Sequence, residues 1–373
     1  MRSGWTKLAV PAAMVAAGAG ALVAARAARR RREIDFRDKV VLITGGSRGL
    51  GLLMARELAC DGAKVSIVAR DPVELDNARR ELVGCHDAEV LALPCDIRHR
   101  EEAEWAVERT IERFGQLDVL VNNAGVIQVG PLEHMGLQDF EEAMAVHYWG
   151  PLFLTLAALP HLRQQGGGRI VNIASVGGKI AVPHLLPYSA SKFALVGLSN
   201  GLAAELAKER IYVTTVCPGL MRTGSHVNAR FKGKRDAELA WFAVADSSPL
   251  SSIDGRRAAR QILEACRRGD PHLIVTNQAR LATAFAAIFP STTTRLLQLA
   301  DRVLPDPADE DGDEARPGWQ NSSRWVPSIL TRRSDQAAVE NNELRGAALE
   351  YGRNGNGNGL GGGAEAVPAP LPG

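Results

Sequence analysis

The sequence predicts an α/β domain in which helices cover both faces of a doubly wound, mostly parallel sheet. Short apolar, β-branched runs alternate with helix-length segments between residues 34 and 276, which is typical of strands joined by crossover helices. A glycine-rich loop, Thr44–Gly51, follows the first run directly and precedes a helix. Near the middle of the chain, Tyr188 and Lys192 are four residues apart at the start of another helix, so they share one helix face.

Composition limits the function without naming it. A chain of 373 residues allows one to three domains, and 46% hydrophobic and 23% charged residues are ordinary for a globular protein. The formal net charge is +2, but the first 32 residues carry seven Lys or Arg and no acid, so the remainder is acidic overall. This balance excludes the basic surface of a nucleic-acid-binding protein. The five cysteines are scattered without a C-x-x-C pair, which fits a reducing compartment and predicts no metal site.

The amino-terminal segment, residues 1–33, is predicted to be a membrane anchor with a basic flank. Leu8–Ala25 is an uninterrupted apolar run of 18 residues, just long enough as a helix to cross a hydrocarbon core. Arginines crowd the end of the run, which favours a catalytic domain on the cytoplasmic side. A cleaved secretory peptide is one alternative, since Ala25-Arg26-Ala27 imitates a cleavage site, and a peripheral cytoplasmic protein is another.

The first strand–loop–helix unit predicts dinucleotide binding. A buried strand at Lys39–Ile43 leads into the loop, a helix at Leu52–Ala59 follows, and a second strand at Lys64–Ala69 completes the unit. Glycines allow the backbone to turn tightly and to approach a pyrophosphate at the amino end of the helix. A glycine-rich loop alone is weak evidence, but its place between two strands makes the prediction strong.

The residues around the adenosine ribose predict NADP(H) rather than NAD. An acidic residue at the end of the second strand would bind the ribose 2′-hydroxyl of NAD, whereas arginine accommodates a 2′-phosphate. This strand ends in Arg70, and Arg48 lies in the glycine loop. Two guanidinium groups can bind one phosphate through charge-assisted bonds. Asp71 follows Arg70, but Pro72 after it indicates that Asp71 caps the next helix.

The stretch from Ser175 to Lys192 carries the predicted acid–base chemistry. Ser175 follows a buried strand at Arg169–Ile173, and Pro187 suits the first turn of the helix that carries Tyr188 and Lys192. A tyrosine normally ionises near pH ~10, and a nearby ammonium favours the phenolate. The sequence therefore predicts that Lys192 lowers the pKa of Tyr188, which would transfer a proton, while Ser175 holds the substrate oxygen.

Together with the glycine loop, these residues resemble the short-chain dehydrogenase/reductase family, in its shorter branch of roughly one Rossmann domain. The T-G-x-x-x-G-x-G spacing of the loop matches that branch, and N-N-A-G at residues 122–125 and P-G-x-x-x-T at residues 218–223 also match the family. The resemblance implies that Asp96 lies against the adenine, that the N-N-A-G turn lines the cofactor pocket and stiffens the sheet, and that Thr223 lies beside the nicotinamide. The implied cofactor residues are Thr44, Gly45, Ser47, Arg48, Gly49, Leu50, Gly51, Arg70, Asp96, Ile97, Asn123, Ala124, Gly125, Tyr188, Lys192, Pro218, Gly219 and Thr223.

One position departs from the family pattern. His147 stands where relatives usually carry an asparagine that bends the helix and, through water, links the active-site lysine to solvent. A histidine can also bind water and titrates nearer neutrality, so a role in the proton relay is one interpretation. A buried histidine with satisfied hydrogen bonds is the other.

The remaining elements complete the predicted sheet and its surroundings. Residues 224–249 are interpreted as a variable substrate lid, in which Trp241, Phe242 and Val244 indicate an apolar pocket. Residues 277–304 form two apolar helices that either pack on the lid or rest on a membrane surface, and residues 305–373 are predicted to be a disordered acidic and Gly/Asn-rich tail. The other predicted strands are Val90–Leu93, Asp118–Val121, Ile211–Val216 and His272–Val275, and the other helices are Glu101–Phe114, Leu137–Leu162 and Ile253–Arg267.

The resulting hypothesis is reversible hydride transfer between NADP(H) and a carbonyl or secondary alcohol of a small hydrophobic substrate. Tyr188 would transfer the proton, Ser175 would orient the substrate oxygen, and Lys192 would also hold the ribose. Family members often form homodimers through the helices that bear Tyr188 and His147. The alternative is a membrane-tethered nucleotide-binding or scaffold protein that has lost turnover, for which His147 and the long tail are the motivation.

Overall fold

The computed structural model describes residues 32–86, 88–248, 252–308, 311–321, 323, 325–328 and 330–344. The strands are β1 (Val40–Thr44), β2 (Lys64–Ala69), β3 (Val90–Pro94), β4 (Val119–Asn122), β5 (Gln128–Val129), β6 (Gly168–Ile173), β7 (Ile211–Cys217), β8 (Leu220–Arg222), β9 (Arg230–Phe231), β10 (Ser252–Asp254), β11 (His272–Ile274) and β12 (Arg316–Pro317). A seven-stranded parallel sheet forms the centre of the molecule, in the order β3-β2-β1-β4-β6-β7-β11.

Helices cover both faces of this sheet. The helices are α1 (Gly49–Cys60), α2 (Pro72–His86), α3 (Arg100–Phe114), α4 (Leu137–Met144), α5 (Gly150–Gln164), α6 (Leu186–Leu206), α7 (Arg235–Ser247), α8 (Gly255–Arg268), α9 (Asn277–Ile288), α10 (Pro290–Asp301) and α11 (Arg332–Glu340). One face of the sheet is covered by Phe36, α1, α2 and α8, and the other by α3, α5 and the end of α6. Both faces of β1 and β4 are therefore buried. The predicted fold class is confirmed.

The topology determines where a ligand can bind. The chain runs outward from β1 to β2 and β3, and then returns to place β4 on the other side of β1. This reversal opens a crevice beyond the carboxyl ends of β1 and β4, as expected for a doubly wound sheet. The glycine loop leaves β1 there and the N-N-A-G turn leaves β4 there, so the two motifs meet.

Two elements differ locally from the sequence prediction. The predicted helix Leu137–Leu162 is interrupted by a π-helical turn at Ala145–Trp149, between α4 and α5. His147 lies in this turn and is fully buried, so the turn directs an imidazole into the core. Ile253 belongs to β10 rather than to the following helix, because residues 252–254 pair with β8 and Asp254 then caps α8 by accepting a bond from the Arg257 N–H.

The carboxyl-terminal region is more ordered than its composition indicates. The predicted disordered tail includes β12, which pairs with β9, and α11, which packs against α7 and β8. Asn341, Asn342 and Glu343 directly after α11 are buried. Long-range contacts thus order a polar segment that has no apolar stripe of its own. Residues 345–373 lie outside the described residues.

The two apolar helices after the sheet do not pack on the lid as a buried layer. None of the residues of α10 is buried, and in α9 only Ala279 and Thr283 are. The predicted anchor, Leu8–Ala25, lies outside the described residues. Among the described residues, Leu137–Gln164 is long and apolar enough to cross a membrane, and half of its apolar window is buried inside the domain.

Candidate active site

One large cavity of about 1110 Å³ lies in the crevice at the carboxyl ends of the strands. Ser175, Tyr188 and Lys192 line one part of it, and Arg48 and Arg70 line another. The structure therefore brings the two predicted groups of residues together in a single space. The other predicted residues on its wall are Gly45, Ser47, Gly49, Leu50, Asp96, Ile97, Asn123, Ala124, Gly125, Pro218, Gly219 and Thr223.

Glycines give the loop a backbone conformation that side chains would prevent. Gly45 has φ of +64°, which favours glycine, and a Cβ there would lie 3.0 Å from the Cα of Ala124. A Cβ at Gly51 would overlap the carbonyl oxygen of Gly45, so a side chain at this position would force the loop apart. Neither Gly51 nor Thr44 lines the cavity directly; both shape the loop that does.

Thr44 and the N-N-A-G turn hold the two strand ends together. The Thr44 Oγ1 accepts bonds from the backbone N–H groups of Asn123 at 2.9 Å and Ala124 at 3.0 Å, and Asn123 Nδ2 donates to the Thr44 carbonyl at 2.9 Å. Deeper in the sheet, Asn122 Nδ2 donates to Asn172 Oδ1 at 2.8 Å. These bonds fix the crevice between β1, β4 and β6 before any ligand binds.

Ser175, Tyr188 and Lys192 converge from two elements. Ser175 directly follows β6 and Ala174, and its Oγ caps a short 3₁₀ turn by accepting the Gly177 N–H at 3.0 Å. Pro187 lies in the first turn of α6, as predicted. A Cβ at Gly177 would lie 3.1 Å from the Tyr188 ring and 3.3 Å from the Ser175 Oγ, so the two side chains are neighbours. Lys192 Nζ donates to the Ile173 carbonyl at 2.9 Å and lies 5.7 Å from the centroid of the Tyr188 ring.

The protonation of this group differs from the sequence expectation. Burial raises the pKa of Tyr188, although the neighbouring Ser175 side chain opposes this. Burial also lowers the pKa of Lys192 to about 7. Both pKa values shift because both groups are cut off from water. The Lys192 ammonium does not offset the shift of Tyr188, because it donates to a backbone carbonyl rather than to the phenol oxygen. In this arrangement Tyr188 is a protonated phenol at neutral pH.

His147 has a partner on each ring nitrogen. Its Nε2 accepts the Val126 N–H at 3.1 Å, and its Nδ1 is 2.8 Å from the Ser191 Oγ, which itself donates to the Tyr188 carbonyl. These roles require a neutral ring with the proton on Nδ1. Burial and the charge of Lys192 lower the pKa of His147 well below its usual value. The geometry favours a histidine that ties the N-N-A-G turn to α6 over one that relays protons.

The two arginines predicted to hold the 2′-phosphate, Arg48 and Arg70, differ in their surroundings. Arg70 is exposed at the end of β2 on the cavity wall. Arg48 is engaged by carboxylates, with its Nη1 2.9 Å from Glu74 and its Nε 3.4 Å from Glu343. Ser47 Oγ also donates to Glu74, at 3.1 Å. Arg48 therefore already pairs with two carboxylates where an anionic ligand would bind.

Asp96 is fixed beside the same wall by its neighbour Arg98. The Arg98 Nη2 and Nε approach its carboxylate to 2.6 Å and 2.9 Å. Burial alone would raise the pKa of Asp96, but the bonds from Arg98 outweigh it and the pKa is lowered. Asp96 is therefore an ionised acceptor at neutral pH.

The opposite part of the cavity is apolar and comes from the predicted lid. Trp241 and Phe242 on α7 line it, while Val244 does not. Asp246, one turn further, also reaches the wall, and burial raises the pKa of its carboxyl to about 7. Sequence analysis missed both Asp246 and Glu343. Neither carboxylate belongs to a sequence motif, and only the fold shows that these two reach the cavity.

The residues present fit a dinucleotide. The glycine loop leads to the amino end of α1, its Gly45 and Gly49 line the cavity, and two arginines line the cavity wall nearby. Thr44, Asn123 and Thr223 would support the loop and the nicotinamide end. The loop and the shape of the cavity thus agree with a nicotinamide dinucleotide.

Comparison with known proteins agrees with this geometry. The sequence model of the family described as short chain dehydrogenase matches residues 39–232. An uncharacterized oxidoreductase of Thermotoga maritima is 38% identical over 222 residues, which cover 59% of this chain and 86% of that protein. A short-chain dehydrogenase structure from Streptomyces avermitilis aligns with a TM-score of 0.60 and 30% identity, over 72% of this chain and 98% of that one. L-sorbose reductase from Gluconobacter frateurii, complexed with NADPH and L-sorbose, aligns with a TM-score of 0.57 and 27% identity, over 65% and 97%.

The family match covers the strand–loop–helix unit, the N-N-A-G turn, the Ser175–Lys192 stretch and the beginning of the lid. These are the segments that build the cavity. The chain belongs to the short-chain dehydrogenase/reductase family of NAD(P)-dependent oxidoreductases.

Proposed function

We propose that this protein catalyses reversible hydride transfer between NADP(H) and a carbonyl or secondary alcohol of a hydrophobic substrate. The observation that carries the proposal is the convergence of Ser175, Tyr188 and Lys192 on the cavity that the glycine loop also lines. When bound, NADP(H) supplies or accepts the hydride. The residues of the chain bind and orient the reactants and move the proton.

In the proposed reduction, the Tyr188 hydroxyl donates its proton to the carbonyl oxygen of the substrate. The raised pKa of Tyr188 keeps that proton in place at neutral pH. Ser175, which lines the cavity beside the phenol, orients the same oxygen. In this proposal Lys192 binds the ribose while its Nζ remains near the strand end, and its lowered pKa makes it a proton exchanger near neutrality.

The proposed preference for NADP(H) rests on Arg70 and Arg48. Both line the cavity near the end of β2, and an exposed guanidinium at that position suits a 2′-phosphate. The likeness to L-sorbose reductase, which was solved with NADPH, supports the same choice. Asp71 does not compete for the ribose, because its Oδ1 accepts the N–H groups of Val73 and Glu74 and so caps α2.

An apolar lining supports a hydrophobic substrate. Trp241, Phe242, Leu185, Val182 and Ile127 surround the end of the cavity beyond Tyr188. The test is steady oxidation of NADPH with a panel of hydrophobic ketones and a lipid extract, with products identified by mass spectrometry. NADPH binding without turnover on any of them would favour the non-catalytic nucleotide-binding alternative.

We also propose that the chain forms a homodimer through the segments that carry His147 and Tyr188. Trp149, Leu156 and Phe193 on their outer faces are large, apolar and exposed. Such a patch on two neighbouring helices favours burial against a second copy of the chain.

We further propose that residues 1–33 anchor the protein in a membrane with the catalytic domain in the cytoplasm. The apolar run of Leu8–Ala25 and the arginines after it support this. The full-length protein is expected to stay in the membrane fraction through a high-salt wash, which removes electrostatic binding. A version that lacks residues 1–32 is expected in the soluble fraction with its NADP(H) affinity intact. Release of the full-length protein by salt, or a cleaved amino terminus, would contradict the anchor.

A further inference from the structure

The segment after α11 reaches back to the glycine loop. Helix α11 packs so closely on the chain after β8 that a Cβ at Gly224 would overlap Ala338. His226 Nε2 lies 3.1 Å from the Asp335 carboxylate and fixes the start of the helix. The chain that leaves α11 at Glu340 therefore enters the cofactor side of the domain.

Residues 341–343 make hydrogen bonds to both halves of the predicted cofactor site. The Asn341 carbonyl accepts the Gly49 N–H at 2.9 Å, which is an N–H at the amino end of α1. Asn342 Nδ2 donates to the Ser47 carbonyl at 2.9 Å, and Asn341 Nδ2 donates to the Thr223 carbonyl at 3.3 Å. The segment thus bridges the glycine loop and the P-G-x-x-x-T segment.

Glu343 places a carboxylate against the same loop. It is only 6% exposed, it lines the cavity, and it lies 3.4 Å from Arg48 Nε. A Cβ at Gly49 would lie 2.6 Å from its Oε1, so the carboxylate is in direct contact with the loop backbone. Asn228 Nδ2 donates to its other oxygen at 2.6 Å.

These acceptors occupy donors that a dinucleotide phosphate would use. Backbone N–H groups at a helix amino terminus and a neighbouring arginine form an anion-binding arrangement, and here a carbonyl and a carboxylate of the chain itself fill part of it. Two anions cannot share these donors without strong repulsion.

We propose that residues 341–343 act as an internal competitor for the phosphate groups of the cofactor, so that NADP(H) binds fully only after this segment withdraws from the glycine loop. The proposal rests on the proposed cofactor function and adds a regulatory contact to it. The apparent affinity of such a protein is the intrinsic affinity reduced by the fraction of molecules in which the segment is open. Any change that weakens the segment's contacts therefore tightens cofactor binding.

The test compares two substitutions of the same chemistry in the full-length chain. Glu343→Gln removes the carboxylate beside Arg48, and Glu340→Gln is its control because the Glu340 carboxylate lies on the exposed side of α11, 3.3 Å from Arg256. By calorimetric titration, Glu343→Gln is expected to bind NADP⁺ about tenfold more tightly than the wild type, because the open fraction rises. The gain is expected to be smaller for NAD⁺, which has no 2′-phosphate for the released Arg48. Glu340→Gln is expected to match the wild type.

Hydrogen exchange supplies a readout that does not depend on activity. Peptides that cover residues 341–344 are expected to be protected in the cofactor-free wild type and to lose protection when NADP⁺ is added. If Glu343→Gln does not fold, Asn342→Ala, which removes the bond to the Ser47 carbonyl, tests the same expectation.

The outcomes separate the two proposals. Unchanged or weaker NADP⁺ binding by Glu343→Gln, or continued protection of residues 341–344 in the NADP⁺ complex, would overturn the internal competitor and leave the cofactor function standing. Failure of every variant to bind either dinucleotide would overturn the proposed function itself, and the competitor with it.

Discussion

Replacing Tyr188 with phenylalanine is expected to lower turnover at least about a hundredfold, the loss typical when a general acid is removed. Phenylalanine preserves the ring that packs edge-on against His147 at 5.4 Å between centroids, so the shape of the site survives. Only the phenol hydroxyl is lost. NADP(H) affinity is expected to change little, and the measurement is the initial rate of NADPH oxidation beside a binding titration.

Tyr212→Phe is the matched control. Tyr212 lies near the amino end of β7, under the guanidinium of Arg169 at 4.6 Å, and does not line the cavity. This variant is expected to retain wild-type turnover. Near-normal turnover by Tyr188→Phe would contradict the assignment of the proton to this phenol.

Replacing Arg70 with aspartate is expected to shift the ratio of kcat/KM for NADPH over NADH about a hundredfold towards NADH. The substitution removes a charge-assisted bond to the 2′-phosphate and adds a like-charge clash, each of which changes binding by roughly tenfold or more. Since Arg48 is partly neutralised by Glu74 and Glu343, exposed Arg70 is expected to contribute the larger share.

Arg79→Asp makes the same charge change on the exposed surface of α2, where Arg79 pairs with Asp76, and is expected to leave the ratio unchanged. A wild-type enzyme that already prefers NADH would contradict the role given to Arg70. Equal loss with both cofactors would instead indicate a general effect on the site.

Much of this architecture can be predicted from the sequence because it depends on local patterns. The run at Lys64–Ala69 predicts β2 with the bounds that the structure has, since continuous apolar residues are needed in a strand buried on both faces. The spacing of Tyr188 and Lys192 predicts a shared face of α6, because helix periodicity is fixed by backbone geometry. The glycines of the loop predict its tight turn for the same kind of reason.

Other features depend on contacts between distant parts of the chain, which no local pattern records. The lowered pKa of Lys192 arises from its burial in the folded domain, and its Nζ donates to the Ile173 carbonyl, so its spacing from Tyr188 alone does not predict its protonation. The polar composition after residue 305 predicts disorder, yet Asn341 and Glu343 are ordered by bonds to the glycine loop and to Asn228. The π-helical turn at Ala145–Trp149, in which the buried His147 contacts Val126 and Ser191, is likewise marked by no local pattern.

The most direct test of hydride transfer follows the hydrogen itself. NADPH that carries deuterium at both C4 positions of the nicotinamide is incubated with the full-length protein and the ketone that gives the fastest oxidation, and the product is examined by mass spectrometry. The expected result is an alcohol with one deuterium on the former carbonyl carbon, formed by the wild type and nearly absent with Tyr188→Phe. Binding of NADPH without deuterium in any product of the panel, or deuterium transfer undiminished in Tyr188→Phe, would contradict the account.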